Sequence, residues 1–337
     1  MKKGVTIKDI AKRLNMSIST VSKALSNDTT ISTLTRERVH KLAQEWNYIV
    51  NESARHFKLK KSFTIGLIIP TLIDQFYVLA INGIETIAEQ EKYNVILSQT
   101  HEDVGKEEII TNVMIKNRVD GVIVAITKNT VDMLLFEKLI SMGIPVVCVA
   151  REPKGGSFHY VSSNNLEGAY KATHFLIKEG HRRIAHIMGP LSMRTSQVRL
   201  EGYKQALAKN KILLDERLIK VVDFTEKSTA TAMKELMELK DPPTGIFTFK
   251  NYITLDAINV LKKKYPDKLD HIDFVGFGNL PLLQYLDHKP VASIEENAYE
   301  MGEVAARLLF QIIKEENEEL SEITQHIQIP CKLVVHK

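Results

Sequence analysis

A short segment near the N-terminus, residues 17–25, combines several hydroxyl groups with one ammonium group. At helical spacing, Val21, Ala24 and Leu25 can face a core while the polar side chains face solvent. Hydroxyl and ammonium groups on one exposed face can hydrogen-bond to phosphate oxygens and to base edges. The outward-facing residues are Ile18, Ser19, Ser22 and Lys23.

The distribution of charge agrees with a polyanionic partner at this end of the chain. The 337 residues carry a net charge of +4, but residues 1–61 hold 13 Lys and Arg against 5 Asp and Glu. The remainder is mildly acidic. A basic end indicates a polyanion partner, although a solvated basic face has the same composition.

The elements around this face have the pattern of a helix-turn-helix. Thr6 and Asp9 have capping-box spacing, Ile7, Ile10, Ala11 and Leu14 follow a helical period, and residues 15–17 break it. Ser17 is placed to cap the second helix, and a third helix is predicted over residues 32–46. One helix can then brace across phosphates while the next enters a major groove.

From residue 63 onward, short β-branched runs alternate with amphipathic helical stretches. This alternation predicts βαβ units, and the number of strands favours two doubly wound parallel-sheet lobes with a cleft between them. Strands are predicted at 64–69, 94–98, 121–126, 145–149, 183–188, 219–222, 245–249, 272–277 and 327–335. Helices are predicted near 78–91, 105–117, 131–142, 165–179, 196–209, 228–239, 253–264 and 297–315.

Ordered motifs along most of the chain resemble the lactose/galactose repressor family (LacI/GalR). The head matches at residues 5–11, 16–25, 35–39 and 47–48, and later matches are Arg118–Gly121, Gly180–Ile184, Arg199–Tyr203 and Val275–Phe277. The resemblance implies an all-α helix-turn-helix head followed by a two-lobed α/β effector domain like that of periplasmic binding proteins. It implies regulation of transcription, most simply repression, with operator affinity set by a small molecule.

The resemblance also implies the residues that contact DNA. Ile18, Ser19 and Lys23 would read bases, while Thr6, Ser17, Thr20, Ser22 and Asn27 would contact phosphates. For each serine, a helix cap or a solvated side chain is the alternative. Tyr48 continues the family match at the end of the third helix.

In the family, the connector that follows becomes a hinge helix on DNA and inserts an apolar wedge into the minor groove. The corresponding residues here are Asn51, Ala54, Arg55 and Phe57. Two departures are Val50, in place of the usual proline, and Phe57, in place of the usual leucine. Phe57 could instead pack on the effector domain.

The resemblance implies an effector site at strand ends between the lobes. Its residues here are Asp74, Phe76, Tyr77, Arg151, Thr195, Arg199, Phe224, Asn251 and Asn279. Ala150 and Gly278 stand where many relatives carry acidic residues, whereas Arg151, Arg194, Arg199 and Lys250 are basic. We therefore expect a sugar-like effector and hypothesise an anionic one, the alternative being that Lys250 and Arg194 point to solvent.

Other classes of protein find less support. No GxxxxGK[ST], HExxH or GxSxG motif occurs, and the glycines at 276 and 278 lack the third glycine of a dinucleotide fingerprint. We expect no enzyme, no cofactor and no metal site; Cys148 and Cys331 are expected to be buried thiols, and His174 and His186 structural. A transport solute-binding protein is the alternative, but it would need a secretion signal and no head.

These expectations define three regions: a head at 1–49, a hinge and linker at 50–62, and an effector-binding and dimerisation domain at 63–337. We expect a homodimer on a pseudo-palindromic double-stranded operator, built in part by the helix near 297–315, with no membrane partner and a cytoplasmic location. In the family that this chain resembles, members that form tetramers add a C-terminal heptad segment; here the chain ends soon after the 327–335 strand, so we expect a dimer.

Overall fold

A computed structural model describes residues 5–48, 61–155, 157–314 and 324–336. The chain divides into two compact units, one ending at Ser62 and the other beginning at Phe63. Most of the predicted hinge, including Asn51, Ala54, Arg55 and Phe57, lies outside the described residues.

Over residues 5–48, the first unit contains three helices: α1 (Ile7–Leu14), α2 (Ile18–Leu25) and α3 (Thr33–Glu45). Side chains cap each of them, since Thr6 and Asp9 form the reciprocal capping box and Ser17 accepts a bond from the Thr20 amide. Ser32 caps α3. The buried core consists of Ile10, Ala11, Val21, Ala24, Val39, Leu42 and Ala43. The predicted helix-turn-helix head is confirmed.

The second unit contains two lobes, each built on a six-stranded sheet. Its strands are β1 (Thr64–Ile69), β2 (Asn94–Gln99), β3 (Gly121–Val124), β4 (Val146–Val149), β5 (His159–Ser163), β6 (Ile184–Met188), β7 (Ile219–Val221), β8 (Gly245–Thr248), β9 (Asp273–Phe277), β10 (Ala292–Glu295), β11 (His326–Ile329) and β12 (Lys332–Val335). Its helices are α4 (Gln75–Gln90), α5 (Val104–Lys116), α6 (Leu134–Ser141), α7 (Asn165–Lys178), α8 (Arg194–Lys209), α9 (Glu226–Met237), α10 (Asn251–Lys264) and α11 (Ala298–Lys314).

Strand order shows two doubly wound sheets, as predicted. The first lobe has the order β11-β5-β4-β3-β1-β2, and the second has β12-β10-β9-β8-β6-β7. All the pairs are parallel except β10 with β12. Helices cover both faces of such sheets, which explains why β3, β4 and β8 are buried along their whole length.

The chain crosses between the lobes three times, and the last crossing corrects a prediction. The single strand predicted over 327–335 is two strands, β11 in the first lobe and β12 in the second. Pro330 stands between them, and proline has no amide hydrogen to continue a ladder. The strands β5 and β10, which precede the other two crossings, were not predicted.

Helix α11 has a role within the first lobe that was not predicted. It packs against α4 so closely that a Cβ on Gly302 would lie 2.0 Å from the Ala80 carbonyl oxygen. Met301, Ala305 and Leu309 are fully buried in the core of the first lobe. The apolar face of this helix is therefore used within the chain, and the prediction that the helix helps to build a dimer stays a prediction for its exposed face.

Both cysteines are free and buried, as predicted. Burial raises the pKa of the Cys331 thiol to about 12 and that of the Cys148 thiol further. No helix within the described ranges is both long and apolar enough to cross a membrane.

Candidate functional sites: the head face and the interlobe cleft

Helix α2 presents an exposed face on the head. Ile18 remains 46% exposed although it is apolar. Ser19, Ser22 and Lys23 are exposed beside it, while Val21 and Ala24 are buried behind. An exposed isoleucine flanked by hydroxyl and ammonium groups suits a groove that offers both methyl groups and polar edges.

Two of the residues implied for phosphates also serve as caps. The Ser17 hydroxyl accepts a bond from the Thr20 amide at 3.0 Å and pairs with the Thr20 hydroxyl at 2.8 Å. The Thr6 hydroxyl donates to the Asp9 carboxylate at 2.7 Å. These hydroxyl groups are therefore fixed at helix N-termini, where backbone N–H groups also attract phosphate.

Asn27 is held by two side chains of α3 that the sequence analysis did not single out. Its backbone is left-handed, with φ 55°. The His40 Nε2 atom lies 3.0 Å from the Asn27 Oδ1 atom, and Arg36 donates to the Asn27 carbonyl at 3.3 Å. With its oxygen engaged, the side-chain amide is oriented to donate through its NH2 group. Tyr48 is half-buried against the head core.

In the second unit, a cavity lies between the lobes. Seven of the nine residues implied for the effector line it: Asp74, Phe76, Tyr77, Arg151, Thr195, Arg199 and Phe224. The other lining residues are Ala150, Met193, Phe249, Lys250 and Glu296. They come from the N-termini of α4, α8 and α10 and from turns after strands, as expected for ligand sites of doubly wound sheets.

Arg199 is the central charged group of this cavity. Its guanidinium donates to Asn165 Oδ1 at 2.8 Å, to Glu296 Oε1 at 2.7 Å and to the Phe249 carbonyl oxygen. It also lies 3.5 Å from the centroid of the Phe277 ring. Burial lowers the pKa of Arg199 and raises the pKa of Glu296, which means that it disfavours the charge of both groups. The charged pair therefore depends on the short hydrogen bond between the two side chains.

Arg151 has a carboxylate partner of its own. It donates to both oxygens of Glu102, at 2.6 and 2.9 Å, and to the Ile126 carbonyl at 2.7 Å. Burial pushes the pKa of Glu102 upward, but the hydrogen bonds and charge of Arg151 keep it below its usual value. Bidentate pairing of this kind fixes the orientation of the guanidinium.

Lys250 and Arg194 also face carboxylates. The Lys250 ammonium lies 3.2 Å from Asp74 Oδ2, while the other Asp74 oxygen caps α4 at the Phe76 amide. Arg194 is 56% exposed and lies 3.8 Å from Glu152.

The interpretation of a cleft that has lost its carboxylates is therefore wrong. Three cations of the cleft have matched acids, Asp74, Glu102 and Glu296. Two of these acids, Glu102 and Glu296, were missed because they stand in turns after β2 and β10, away from Ala150 and Gly278, the positions at which the resemblance implied acidic residues.

The two asparagines are not among the residues that line the cavity. Asn251 is buried at the start of α10, where its amide donates to Ser293 Oγ at 2.8 Å and to the Gly278 carbonyl oxygen. Asn279 follows Gly278 in the same turn and is half-buried. Phe224 lies at the cavity with its ring stacked on Phe249 at 5.2 Å.

Metal and histidine chemistry receive no support from the residues that the structure describes. Among them, no three His, Cys, Asp or Glu side chains are placed to hold a metal ion. His186 is fully buried, stacks on Phe247 at 4.4 Å and pairs through Nδ1 with the Phe247 carbonyl at 3.0 Å. Burial lowers the pKa of His186 to about 3, so it is neutral and structural.

Comparisons with known proteins match both parts of the chain to known families. Residues 6–51 match the family model described as bacterial regulatory proteins, lacI family, and residues 65–317 match a periplasmic binding protein domain. The transcriptional repressor CytR of Escherichia coli K12 is 32% identical over 305 residues, which span 90% of this chain and 88% of CytR.

Two solved structures extend the comparison. The transcriptional regulator CelR in complex with cellobiose is 25% identical with a TM-score of 0.72 over 98% of each chain. The lac repressor dimer bound to operator is 21% identical with a TM-score of 0.83, also over 98% of each chain, and shows the fold alone. The chain described here belongs to the lacI family of bacterial regulatory proteins.

Proposed function

We propose that this protein is a sequence-specific repressor of transcription whose operator affinity is set by a sugar-like effector in the interlobe cavity. The observation that carries the proposal is the exposed face of α2, in which Ile18, Ser19 and Lys23 share one side of a capped helix. Family membership makes regulation the expected use of that face.

The residues of the head divide by role. Ile18, Ser19 and Lys23 read bases in the major groove. The phosphate contacts come from Thr6, Ser17, Thr20, Ser22 and Asn27, with Tyr48 near the end of the head. The connector residues Asn51, Ala54, Arg55 and Phe57 act at the minor groove, with Phe57 as the apolar wedge.

The effector is proposed to be a neutral polyhydroxyl compound. The cations that line the cavity each have a matched carboxylate, so an anion would add an unbalanced charge to a partly buried site. Phe76, Phe224 and Phe249 offer aromatic faces to a sugar ring. CelR, a similar regulator, was solved with cellobiose. Asn251 and Asn279 would act behind this cavity by holding the turn that carries Gly278.

A homodimer is proposed because one head contacts few bases and two heads can read a pseudo-palindrome. The first lobe has exposed apolar residues that a partner copy could cover. Ile109 and Val113, one turn apart on α5, are 64% and 39% exposed, and Leu97 on the edge strand β2 is 38% exposed.

The DNA half of the proposal is tested by selecting duplexes from a random pool with the full-length protein. We expect enrichment of an inverted repeat and loss of that preference in the Ile18→Ala/Ser19→Ala variant. Leu34→Ala, a change at an exposed position on α3, is the matched control. If no duplex is preferred over bulk DNA at moderate ionic strength, the proposal is rejected.

The effector half is tested by calorimetric titration with matched pairs of neutral sugars and their phosphates or acids. We expect the neutral member of a pair to bind more tightly. Binding of the acidic members alone would reject a neutral effector and restore the anionic hypothesis.

A further inference from the structure

The first turn of α10 in the second lobe holds the segment that begins α4 in the first lobe. Lys250 Nζ lies 3.2 Å from Asp74 Oδ2. The Tyr252 hydroxyl donates to the Ile73 carbonyl at 3.0 Å and accepts from the Gln75 amide at 3.4 Å. We call these three contacts, between residues 73–75 and the side chains of Lys250 and Tyr252, the clasp.

The clasp passes through the effector cavity itself. Besides its contact with Asp74, the Lys250 ammonium lies 4.8 Å from the centroid of the Phe224 ring and 5.7 Å from that of Tyr252. Asp74, Phe224 and Lys250 all line the cavity. The protein's own cation therefore engages the carboxylate and one of the aromatic faces that a sugar would use.

A second set of interlobe contacts lies near the other side of the cavity. Lys128 of the first lobe donates to the Asp223 carbonyl at 2.8 Å, and Ser192 of the second lobe donates to the Lys128 carbonyl at 2.9 Å. The effector cavity itself measures about 60 Å³. Small-molecule sites usually offer roughly 300–1,000 Å³, so we expect the lobes to separate when a sugar enters.

We propose that Lys250 is a tethered competitor of the effector and that, with Tyr252, it holds the lobes together until an effector hydroxyl takes Asp74. The competition rests on the proposed function, whereas the clasp rests only on the contacts within the domain. Binding of the effector and separation of the lobes at the clasp are then one equilibrium, because Lys250 sits on the Asp74 Oδ2 atom and over the Phe224 ring, where the effector would bind.

The strength of the clasp comes from its combined bonds. A single exposed ion pair contributes little to stability. Here the Lys250 and Asp74 side chains are only 26% and 15% exposed, and two neutral hydrogen bonds of Tyr252 lie beside them. Both side chains must therefore be changed to release the segment fully.

The clasp is tested by measuring the distance between the lobes in the full-length protein. Spin labels on Ser141→Cys and Thr231→Cys report it by pulsed electron resonance. Both positions are exposed, on α6 and α9, whereas the native cysteines are buried. We expect Lys250→Met/Tyr252→Phe to broaden the distance distribution and shift it away from that of the parent.

Matched controls are Lys262→Met, which removes a charge from the last turn of α10, and Tyr285→Phe at an 80% exposed tyrosine. Circular dichroism establishes that each variant is folded. If the folded double variant keeps the distance distribution of its parent, the clasp is rejected.

The competition is tested by titrating the parent and Lys250→Met with the neutral sugars cellobiose and D-ribose and with the neutral members of the sugar panel. A site closed by Lys250 for two-thirds of the time would bind about three-fold more tightly once the lysine is removed. Equal affinity in both proteins would overturn the competition. If no sugar binds either protein, the sugar effector is rejected, and the distance measurement still decides the clasp.

Discussion

A substitution at Lys23 can distinguish a base contact from a phosphate contact, because an ammonium group can donate to either a guanine or a phosphate. We predict that Lys23→Ala lowers affinity for the selected duplex by about 1–3 kcal/mol, the usual contribution of a base contact, and affects bulk DNA far less. Fluorescence anisotropy at several salt concentrations measures both affinities. Equal losses on the two DNAs would assign Lys23 to a phosphate, and Lys41→Ala on α3 controls for net charge.

In our interpretation, His40 affects DNA affinity indirectly, because it positions the side chain of Asn27. His40→Ala removes the hydrogen bond to Asn27 Oδ1, so the amide is no longer held with its NH2 group free to donate. We predict a loss of about 1 kcal/mol, similar for every duplex, as expected for one neutral bond that positions a phosphate contact.

A double-mutant cycle decides this role. If His40 acts through Asn27, adding His40→Ala to Asn27→Ala should cost little further affinity. Additive losses would show that the histidine acts independently.

Glu296 makes the stability of an Arg199→Met variant depend on pH. Burial raises the pKa of Glu296, and the charge of Arg199 opposes that rise. Without the arginine, the folded carboxyl keeps its proton to a higher pH. Below the unfolded pKa of about 4.3 the carboxyl group is protonated in both the folded and the unfolded variant, so its burial costs no charge. The free energy of unfolding then falls as pH rises through the folded pKa, because the buried carboxyl must ionise.

We therefore predict that Arg199→Met loses more stability at pH 8 than at pH 5, by up to about 3–5 kcal/mol for an unpaired buried charge. Urea unfolding at several pH values measures it. Arg217→Met, a change at a surface arginine, is the control, and a pH-independent loss would show that lost packing dominates.

Local contacts could be predicted from the sequence, whereas distant ion pairs could not. The caps by Thr6 and Ser17 join residues three apart, so spacing alone reveals them. Arg151 meets Glu102 across 49 positions and Arg199 meets Glu296 across 97. Nothing in local sequence connects those partners, and the predicted charge of the cleft was wrong for that reason.

At the scale of elements, hydrophobic periodicity predicted the buried strands and the long helices well. It failed for β5 and β10, whose short and partly polar sequences give a weak strand pattern. It also merged β11 with β12, since the run at 327–335 is apolar on both sides of Pro330. Assignment to a sheet depends on pairing partners, which one strand's sequence does not specify.

The contact between α4 and α11 depends on glycines at the crossing. A Cβ at Gly302 would lie 2.0 Å from the Ala80 carbonyl oxygen, and neither backbone can move without opening the core. We predict that Gly302→Ala destabilises the protein by about 1–3 kcal/mol, the usual cost of overpacking, despite the better helix propensity of alanine.

Thermal or urea unfolding measures the loss. Gly105→Ala is the matched control, since this glycine is exposed in the first turn of α5 and its Cβ would approach only an Asp103 side-chain oxygen, at 3.2 Å. An equal effect in both variants would contradict the close crossing.

At the scale of the whole molecule, the burial of α11 changes which surface a partner copy is expected to use. With Met301, Ala305 and Leu309 inside the first lobe, the apolar residues that remain exposed include Ile109 and Val113 on α5 and Leu97 on β2. An edge strand beside an exposed apolar helix face is a surface that a second copy could cover.

We predict that Ile109→Asp/Val113→Asp converts the dimer to monomers without unfolding the lobes, because a charge placed in a covered apolar contact must lose its water. Sedimentation velocity measures the change in mass. Operator affinity should fall with it, since each head then binds its half-site alone. Leu213→Asp, at a 92% exposed leucine of the second lobe, is the control. A double variant that stays dimeric would place the interface elsewhere, and loss of operator binding without loss of the dimer would separate the two roles.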